Sequence, residues 1–228
     1  MKVTELNTVD DIRTSLDDHH YIANRSLATS IYLSLKMDKP IFLEGEPGVG
    51  KTEIGKVLAK VLGTDLIRLQ CYEGLDVHNA IYEWNYSRQI LQIRMLEAEG
   101  QKDKEKISKE IFGSEFLIKR PLFQAIDHDG ESPPVLLIDE LDRADEEFEA
   151  FLLEILSDFQ ISIPEIGTIT AETPPIVVIT SNRTREIHDA LKRRCLYHWI
   201  DYPTAEQEFE IVKRKIPQVN EELGKQVV

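Results

Sequence analysis

The chain has 228 residues, 42% of them apolar, which suits one large domain or one domain plus the start of another and excludes wholesale disorder. With 41 acidic residues against 27 basic ones the formal net charge is −14, so phosphodiester backbones are repelled at long range and nucleic acid is not an expected partner. The two cysteines, Cys71 and Cys195, lie far apart without a CxxC or Cys/His cluster, which argues against a disulfide framework or structural zinc and fits a reducing cytosol.

No stretch approaches the run of about 18 apolar residues that a membrane span needs. The opening MKVTELNTVDDIRTSLDD lacks a basic region followed by an apolar one, so no secretory signal is expected. Residues 10–37 read as helical, with Ile22, Leu27, Ile31 and Leu35 as an apolar stripe. PIFLEG, bounded by Pro40 and Gly45, reads as a buried strand. Ile54, Val57, Leu58, Val61 and Leu62 then repeat at helical spacing over 51–62, with Gly63 as C-cap. DLIRLQC (65–71) reads as a second strand. Residues 88–111 read as a polar helix with Ile90, Ile93 and Leu96 on one side, and EGQKDKEK as a solvated charge run.

Val135–Ile138 is a continuous apolar run too short for a helix, as in a strand buried on both faces of a parallel sheet. EEFEAFLLEILSDFQ (146–160) reads as an amphipathic helix, ISIPEIGTITAETPP as a hairpin and IVVITSN (176–182) as another strand. TREIHDALKRRC reads as helical and LYHWIDYP as a short final strand. Strands alternating with helices predict an α/β fold with a mostly parallel five-stranded sheet. In such sheets ligands sit at the carboxyl ends of the strands, so Gly45, Asp139 and Asn182 are expected along one edge. From Ala205 to Val228 the chain is helical and charged, which predicts one α/β domain over 1–204 and the start of a second, helical domain over 205–228.

Gly45, Glu46, Pro47, Gly48, Val49, Gly50, Lys51 and Thr52 match G-x-x-x-x-G-K-[ST] in full, between a predicted strand and the helix predicted over 51–62, and with Glu53 they are the candidate cofactor-binding residues. Glycines let such a loop turn its N–H groups inward around an anion, and the following helix adds its positive end. Lys51 is placed to reach the β- and γ-phosphates of a nucleotide, and the Thr52 hydroxyl to ligate Mg²⁺. Asp139 and Glu140 follow an apolar strand: the first is a candidate Mg²⁺ ligand, the second a candidate base for the attacking water, although Asp-Glu also caps helices. Asn182 ends the TSN run, where an amide can hold the γ-phosphate or the water, or simply make a turn. Arg193 and Arg194 either complement a helix C-terminus or supply an arginine finger to a neighbouring subunit.

Together these residues resemble the AAA+ ATPases, whose order and spacing of nucleotide loop, LLIDE, ITSN and KRRC they share. More narrowly, FLEGEPGVGKTEIGK, RPLFQAI, LLIDELDRADEEFEAFLLEILSDFQISIP, VVITSNRTREIHDALKRRC and DYP resemble the MoxR group, and within it the CoxD-like ATPases of carbon monoxide dehydrogenase maturation. The resemblance implies a P-loop NTPase core with Gly45 to Thr52 as Walker A, Asp139-Glu140 as Walker B, Asn182 as sensor 1, and Arg194, or its neighbour Arg193, as the finger. It implies ATP and Mg²⁺ as cofactors and a ring, usually a hexamer, with active sites at subunit interfaces. It further implies a von Willebrand A-domain partner and a metalloenzyme client such as a molybdenum-copper dehydrogenase. The location implied is cytoplasmic, with peripheral membrane contact through partners. Residues 84–118 stand where the family carries an insert facing the ring pore, and differ from its commoner pattern in being long and polar. Tyr21 and Ile22 are candidates for packing against adenine. The family's sensor 2 arginine belongs to a lid that this chain barely begins.

Three other readings compete. A DNA-associated AAA+ motor or loader would share the loop and an RRC-like arginine, but the net charge opposes it. A small-molecule kinase would use the same loop without needing IDE, TSN and RR together. A nucleotide-gated binding module would lack turnover, which the intact Asp139-Glu140 pair argues against.

Overall fold

Alternating apolar and polar runs resolve into strands and helices in the computed structural model, which describes residues 6–100, 103, 107 and 110–216. α1 (Val9–Asp18) and α2 (Arg25–Met37) precede β1 (Ile41–Gly45), α3 (Lys51–Leu62) and β2 (Leu66–Gln70). Then come α4 (Val77–Ile81), β3 (Tyr82–Trp84), α5 (Tyr86–Ala98), β4 (Leu117–Lys119) and α6 (Pro121–Ile126). β5 (Val135–Asp139), α7 (Glu146–Asp158) and the hairpin β6 (Gln160–Ile163) and β7 (Gly167–Thr170) lead to β8 (Ile176–Ser181). α8 (Asp189–Lys192), β9 (Leu196–Ile200) and α9 (Ala205–Lys215) follow.

Five strands form one parallel sheet in the order β2-β5-β8-β1-β9. Every residue of β1 and β5 is buried, as a strand covered by helices on both faces requires. The two-residue period then sorts the side chains. Leu136, Ile138, Val177 and Ile179 point into one core with α6 and α7, while Val135, Leu137 and Val178 point into the other with α1, α2 and α3. Each fully buried Leu or Ile contributes about 1.5–3 kcal/mol relative to exposure. The fold is thus an α/β sandwich with the topology of a P-loop AAA+ core.

Three expectations need correction. The helix predicted over 10–37 is two helices, because α1 ends at His19 and His20 takes φ 62° before Asn24 caps α2 through its side chain. The break delivers Tyr21 and Ile22 to the nucleotide loop instead of to a helix face. The stripe expected on 88–111 holds at buried Leu96 and half-buried Ile93 but not at Ile90, which is exposed while Gln89 is buried. Gln89 turns inward because its amide donates to the carbonyl of Ile111 at 2.7 Å. Most of 101–109, including part of the charge run, and the lid residues 217–228 lie outside the described residues. Finally, only Asp189–Lys192 of the predicted helix over 184–195 is α-helical. Buried carboxylates claim the backbone before it: Asp142 accepts from Thr184 N, and Glu149 accepts from His188 N.

Candidate nucleotide site

β1 ends and α3 begins within a few residues, and the loop between them has two strict requirements. Gly45 packs so close to β9 that a Cβ there would lie 2.3 Å from the carbonyl oxygen of Ile200. Gly50 takes φ 93°, a left-handed conformation that side chains resist. Gly50 also occupies the N-cap of α3 and no side chain caps this helix, so its first N–H groups face the loop interior. Unsatisfied helix N–H groups and the helix dipole make an anion site. Lys51 is buried, and its Nζ donates to the carbonyls of Gly45 and Glu46 at 2.7 Å each. Burial lowers its pKa, while Asp142, Glu46, Asp139 and Glu140 pull the other way.

Asp139 closes β5 beside this loop and is almost completely buried. Its Oδ1 accepts from the hydroxyls of Thr52 at 2.9 Å and Thr180 at 2.6 Å. Thr180 in turn accepts from the Glu140 N–H at 2.9 Å, which ties the ends of β5 and β8 together. Oδ2 of Asp139 accepts from Arg68 of β2. Glu140 leaves the strand with φ 56°, an unusual backbone for a non-glycine residue and one that clusters at functional sites. Its carboxylate meets Arg143 Nε at 3.0 Å.

Asn182 follows β8. Its N–H donates to Asp142 at 3.1 Å, and Thr184 donates to the same carboxylate from both N–H and hydroxyl. Burial works against ionisation of Asp142, but these hydrogen bonds hold its pKa below the usual carboxylate range. Arg185 then bridges to Glu149 of α7 and to the carbonyl of Ala144. The segment after β8 is therefore bolted to the segment after β5.

Lys51, Thr52, Glu53, Glu140, Thr180 and Asn182 line one cavity of about 320 Å³. A second cavity of about 370 Å³ adjoins it. Tyr21, Ile22, Tyr202, Pro203 and Ile211 line the second, with Gly48, Val49 and Gly50 as its floor. The first has the chemistry for phosphates and the second for a flat base. Of the predicted loop residues, Glu46, Pro47 and Gly48 are exposed and Val49 and Gly50 half-buried. Arg193 and Arg194 do not line the phosphate cavity of their own chain. Arg194 donates to the carbonyl of Leu153 in α7, and Arg193 lines a separate cavity beside Glu149 and Asp189. The sequence reading overlooked Arg68, Asp142 and Thr184. Its available signal was a charged residue inside each of two otherwise apolar or motif-bearing segments.

A hard-cation site fits the donors present: the Thr52 hydroxyl and the Asp139 carboxylate stand side by side, the sparse oxygen set that Mg²⁺ completes with phosphates.

The profile of the AAA domain family (dynein-related subfamily) matches residues 40–195. The chain is 29% identical over 224 residues to a Lon protease of Cytophaga hutchinsonii, covering 92% of this chain and 24% of that protein. It is 35% identical over 54 residues to Midasin of Giardia intestinalis, 24% of this chain and 1% of that protein. Among solved structures, a candidate ATPase of Cytophaga hutchinsonii superposes at TM-score 0.59 and 20% identity, over 95% of this chain and 59% of that one. A variant of Thermotoga maritima RuvB superposes at TM-score 0.51 and 17% identity, over 99% and 57%. At these identities the structural likenesses speak for the fold. The chain spans about a quarter of the Lon protease it matches.

Proposed function

The chain belongs to the AAA domain family, dynein-related subfamily, and is an AAA-type ATPase domain; on that premise we propose that it hydrolyses ATP with Mg²⁺ and uses the cycle to remodel a client protein. The observation that carries this reading is the single cavity lined by Lys51, Thr52, Glu140, Thr180 and Asn182 at the carboxyl edge of the sheet. The N–H groups at the start of α3 and the Lys51 ammonium hold the β- and γ-phosphates. Lys51 exchanges its two loop carbonyls for phosphate oxygens, and its pre-set position beside them keeps the reorganisation small. Thr52 and Asp139 hold Mg²⁺, which when bound neutralises charge on the phosphates. Glu140 accepts the proton of the attacking water, and Asn182 positions that water. Thr180 holds the Glu140 backbone in place through the 2.9 Å bond to its N–H.

The finer reading is a MoxR-type chaperone that works as a ring, probed as a hexamer, with Arg194 or Arg193 reaching the neighbour's phosphates. Support comes from arginines that stand outside their own cavity and from the MoxR-like stretches of the sequence. The same resemblance supports a von Willebrand A-domain partner and a metalloenzyme client, such as a molybdenum-copper carbon monoxide dehydrogenase. Residues 1–204 are proposed as the nucleotide-binding domain and 205–228 as the start of the lid, with 84–118 as an insert. The test is ATP hydrolysis and ATP binding by the purified chain and Glu140→Gln. Retained binding with turnover reduced about 10²- to 10⁴-fold is expected. Unchanged turnover would remove Glu140 from the reaction, and absence of binding in both proteins would remove the ATPase reading.

A further inference from the structure

The sequence carries one pattern twice: Glu131-Ser132-Pro133-Pro134 runs into β5, and Glu172-Thr173-Pro174-Pro175 runs into β8. The two turns stand side by side at the amino edge of the sheet, where Val135 pairs with Ile176 and Ile176 N donates to the carbonyl of Pro134 at 2.9 Å. Between them and the ends of α2 and α3 lies a cavity of about 340 Å³. Leu35, Leu62, Val177, Pro133, Pro174 and Pro175 give it apolar walls. Ile176 lines this cavity, and Asn182, just past the other end of β8, lines the phosphate cavity. At about 3.3 Å per strand residue the two lie roughly 20 Å apart.

Hydrogen bonding leaves this cavity rich in acceptors and poor in donors. A proline has no N–H to offer. The first amide after each turn is committed within the fold, Val135 N to the carbonyl of Asp65 and Ile176 N to that of Pro134. Ser34, 4% exposed, donates its hydroxyl hydrogen to the carbonyl of Lys39 at 2.6 Å, and Thr64 donates its own to the carbonyl of Pro133 at 2.8 Å. Both hydroxyl oxygens keep lone pairs, so toward a ligand they act as acceptors. Charge points the same way. α2 and α3 both end at the cavity, and a helix C-terminus carries partial negative charge. Asp38 and Glu131 bring carboxylates to its exposed margin, against the ammonium of Lys39 alone among the described residues that line it. Lys36 and Lys60 occupy the last turns of the two helices but do not line the cavity.

We propose that this cavity binds an organic cation, a protonated amine or guanidinium on a short hydrocarbon stem. The N–H groups of the head answer the hydroxyl oxygens and the carboxylates, and the stem covers the apolar walls. The volume falls at the lower end of small-molecule sites, about 300–1,000 Å³. An anion would meet the wrong sign of charge, and an uncharged apolar molecule would leave the acceptors unanswered. A metal ion finds no cluster of three ligating side chains among the described residues. The same head and stem are carried by a free amine and by a lysine or arginine side chain of a bound protein. Nothing in this site passes through the nucleotide loop, so it stands apart from the ATPase reading.

The experiment titrates the full chain, without nucleotide, with hexylammonium, with hexanol as its uncharged counterpart, and with Nα-acetyl-lysine methylamide as the side-chain form. Methyl NMR signals of Leu35, Leu62 and Val177 report the site. One variant combines Asp38→Asn with Glu131→Gln at the exposed margin, where Asn tolerates the left-handed backbone of Asp38 at φ 50°. The other, Thr173→Trp, fills the mouth from an exposed position. Thermal unfolding serves as the fold control. Hexylammonium binds with a Kd on the order of 1 mM, about tenfold tighter than hexanol, and loses about fivefold in the double variant. Thr173→Trp abolishes its binding. Tighter binding of hexylammonium than of the lysine derivative supports a free amine, and the reverse order supports a protein side chain. No hexylammonium binding at about 20 mM, equal affinity for hexanol, no shift of the three reporting residues, or unchanged affinity in the double variant overturns the proposal.

Discussion

Arg68 donates from Nε to Oδ2 of Asp139 at 3.0 Å, while the other oxygen of that carboxylate accepts from Thr52 and Thr180. A guanidinium therefore sits on the carboxylate that is proposed to hold Mg²⁺. The two cations repel, although Arg68 is 45% exposed and solvent screens much of the effect. We expect Arg68→Met to lower the Mg²⁺ concentration that half-activates hydrolysis by roughly threefold to fivefold, an effect of about 1 kcal/mol. A Mg²⁺ titration of the ATPase rate checks it. A raised requirement would mean that Arg68 orients Asp139 for the metal instead of opposing it.

Asp142 is buried and accepts three hydrogen bonds, from Asn182 N, Thr184 N and Thr184 Oγ1. Removing the carboxylate leaves those donors without an acceptor beneath the loop that carries Asn182. Asp142→Ala should destabilise the chain by about 2–4 kcal/mol. If Asn182 positions the water, hydrolysis should fall more than ATP affinity does. Denaturant unfolding and a comparison of kcat with KM separate the two effects. Intact stability would mean that water replaces the carboxylate.

The clustering of the candidate site residues was readable where chemistry demands residue types at fixed spacing. Gly45 to Thr52, Asp139-Glu140 and Asn182 all converge because each stands at or just beyond the carboxyl end of a parallel strand. The sheet was readable for a related reason, since Val135–Ile138 and Ile176–Ile179 are apolar runs too short to be helices. Periodicity failed where a buried polar group outbids local preference. The Asp142 and Glu149 carboxylates hold 184–188 out of a helix that its composition favours. Gln89 takes an inward position on α5 that apolar spacing would have given to Ile90. Arg68 was invisible because its partner, Asp139, is distant in sequence.

His198 of β9 is buried next to α2, with Nδ1 at 3.2 Å from the Ser30 hydroxyl. Burial lowers its pKa from 6.5, with Asp201 opposing in part. The unfolded chain therefore binds a proton more readily than the folded one just below that value. Stability from the neutral imidazole is present above about pH 6.5 and is lost as pH falls through the window below it. Thermal unfolding between about pH 8 and pH 5 should show Tm declining on the acid side. His198→Gln should flatten that decline. An unaltered profile in the variant would assign the pH dependence to other groups.

Arg194 spends its guanidinium on the carbonyl of Leu153, away from the phosphate cavity of its own chain. An arginine that only caps α7 would matter to stability and not to turnover. An arginine that enters a neighbour's site would matter to turnover, and only where neighbours meet. ATPase rate per chain against protein concentration distinguishes them. For the ring reading, specific activity rises with concentration in the wild type and falls on the order of 10³-fold in Arg194→Ala, with little change in Tm. Mixing Arg194→Ala with Glu140→Gln then restores part of the activity, because one subunit supplies the base and the other the arginine. A rate that is independent of concentration, together with a lower Tm for Arg194→Ala, would reduce Arg194 to a helix contact and move the search for the finger to Arg193.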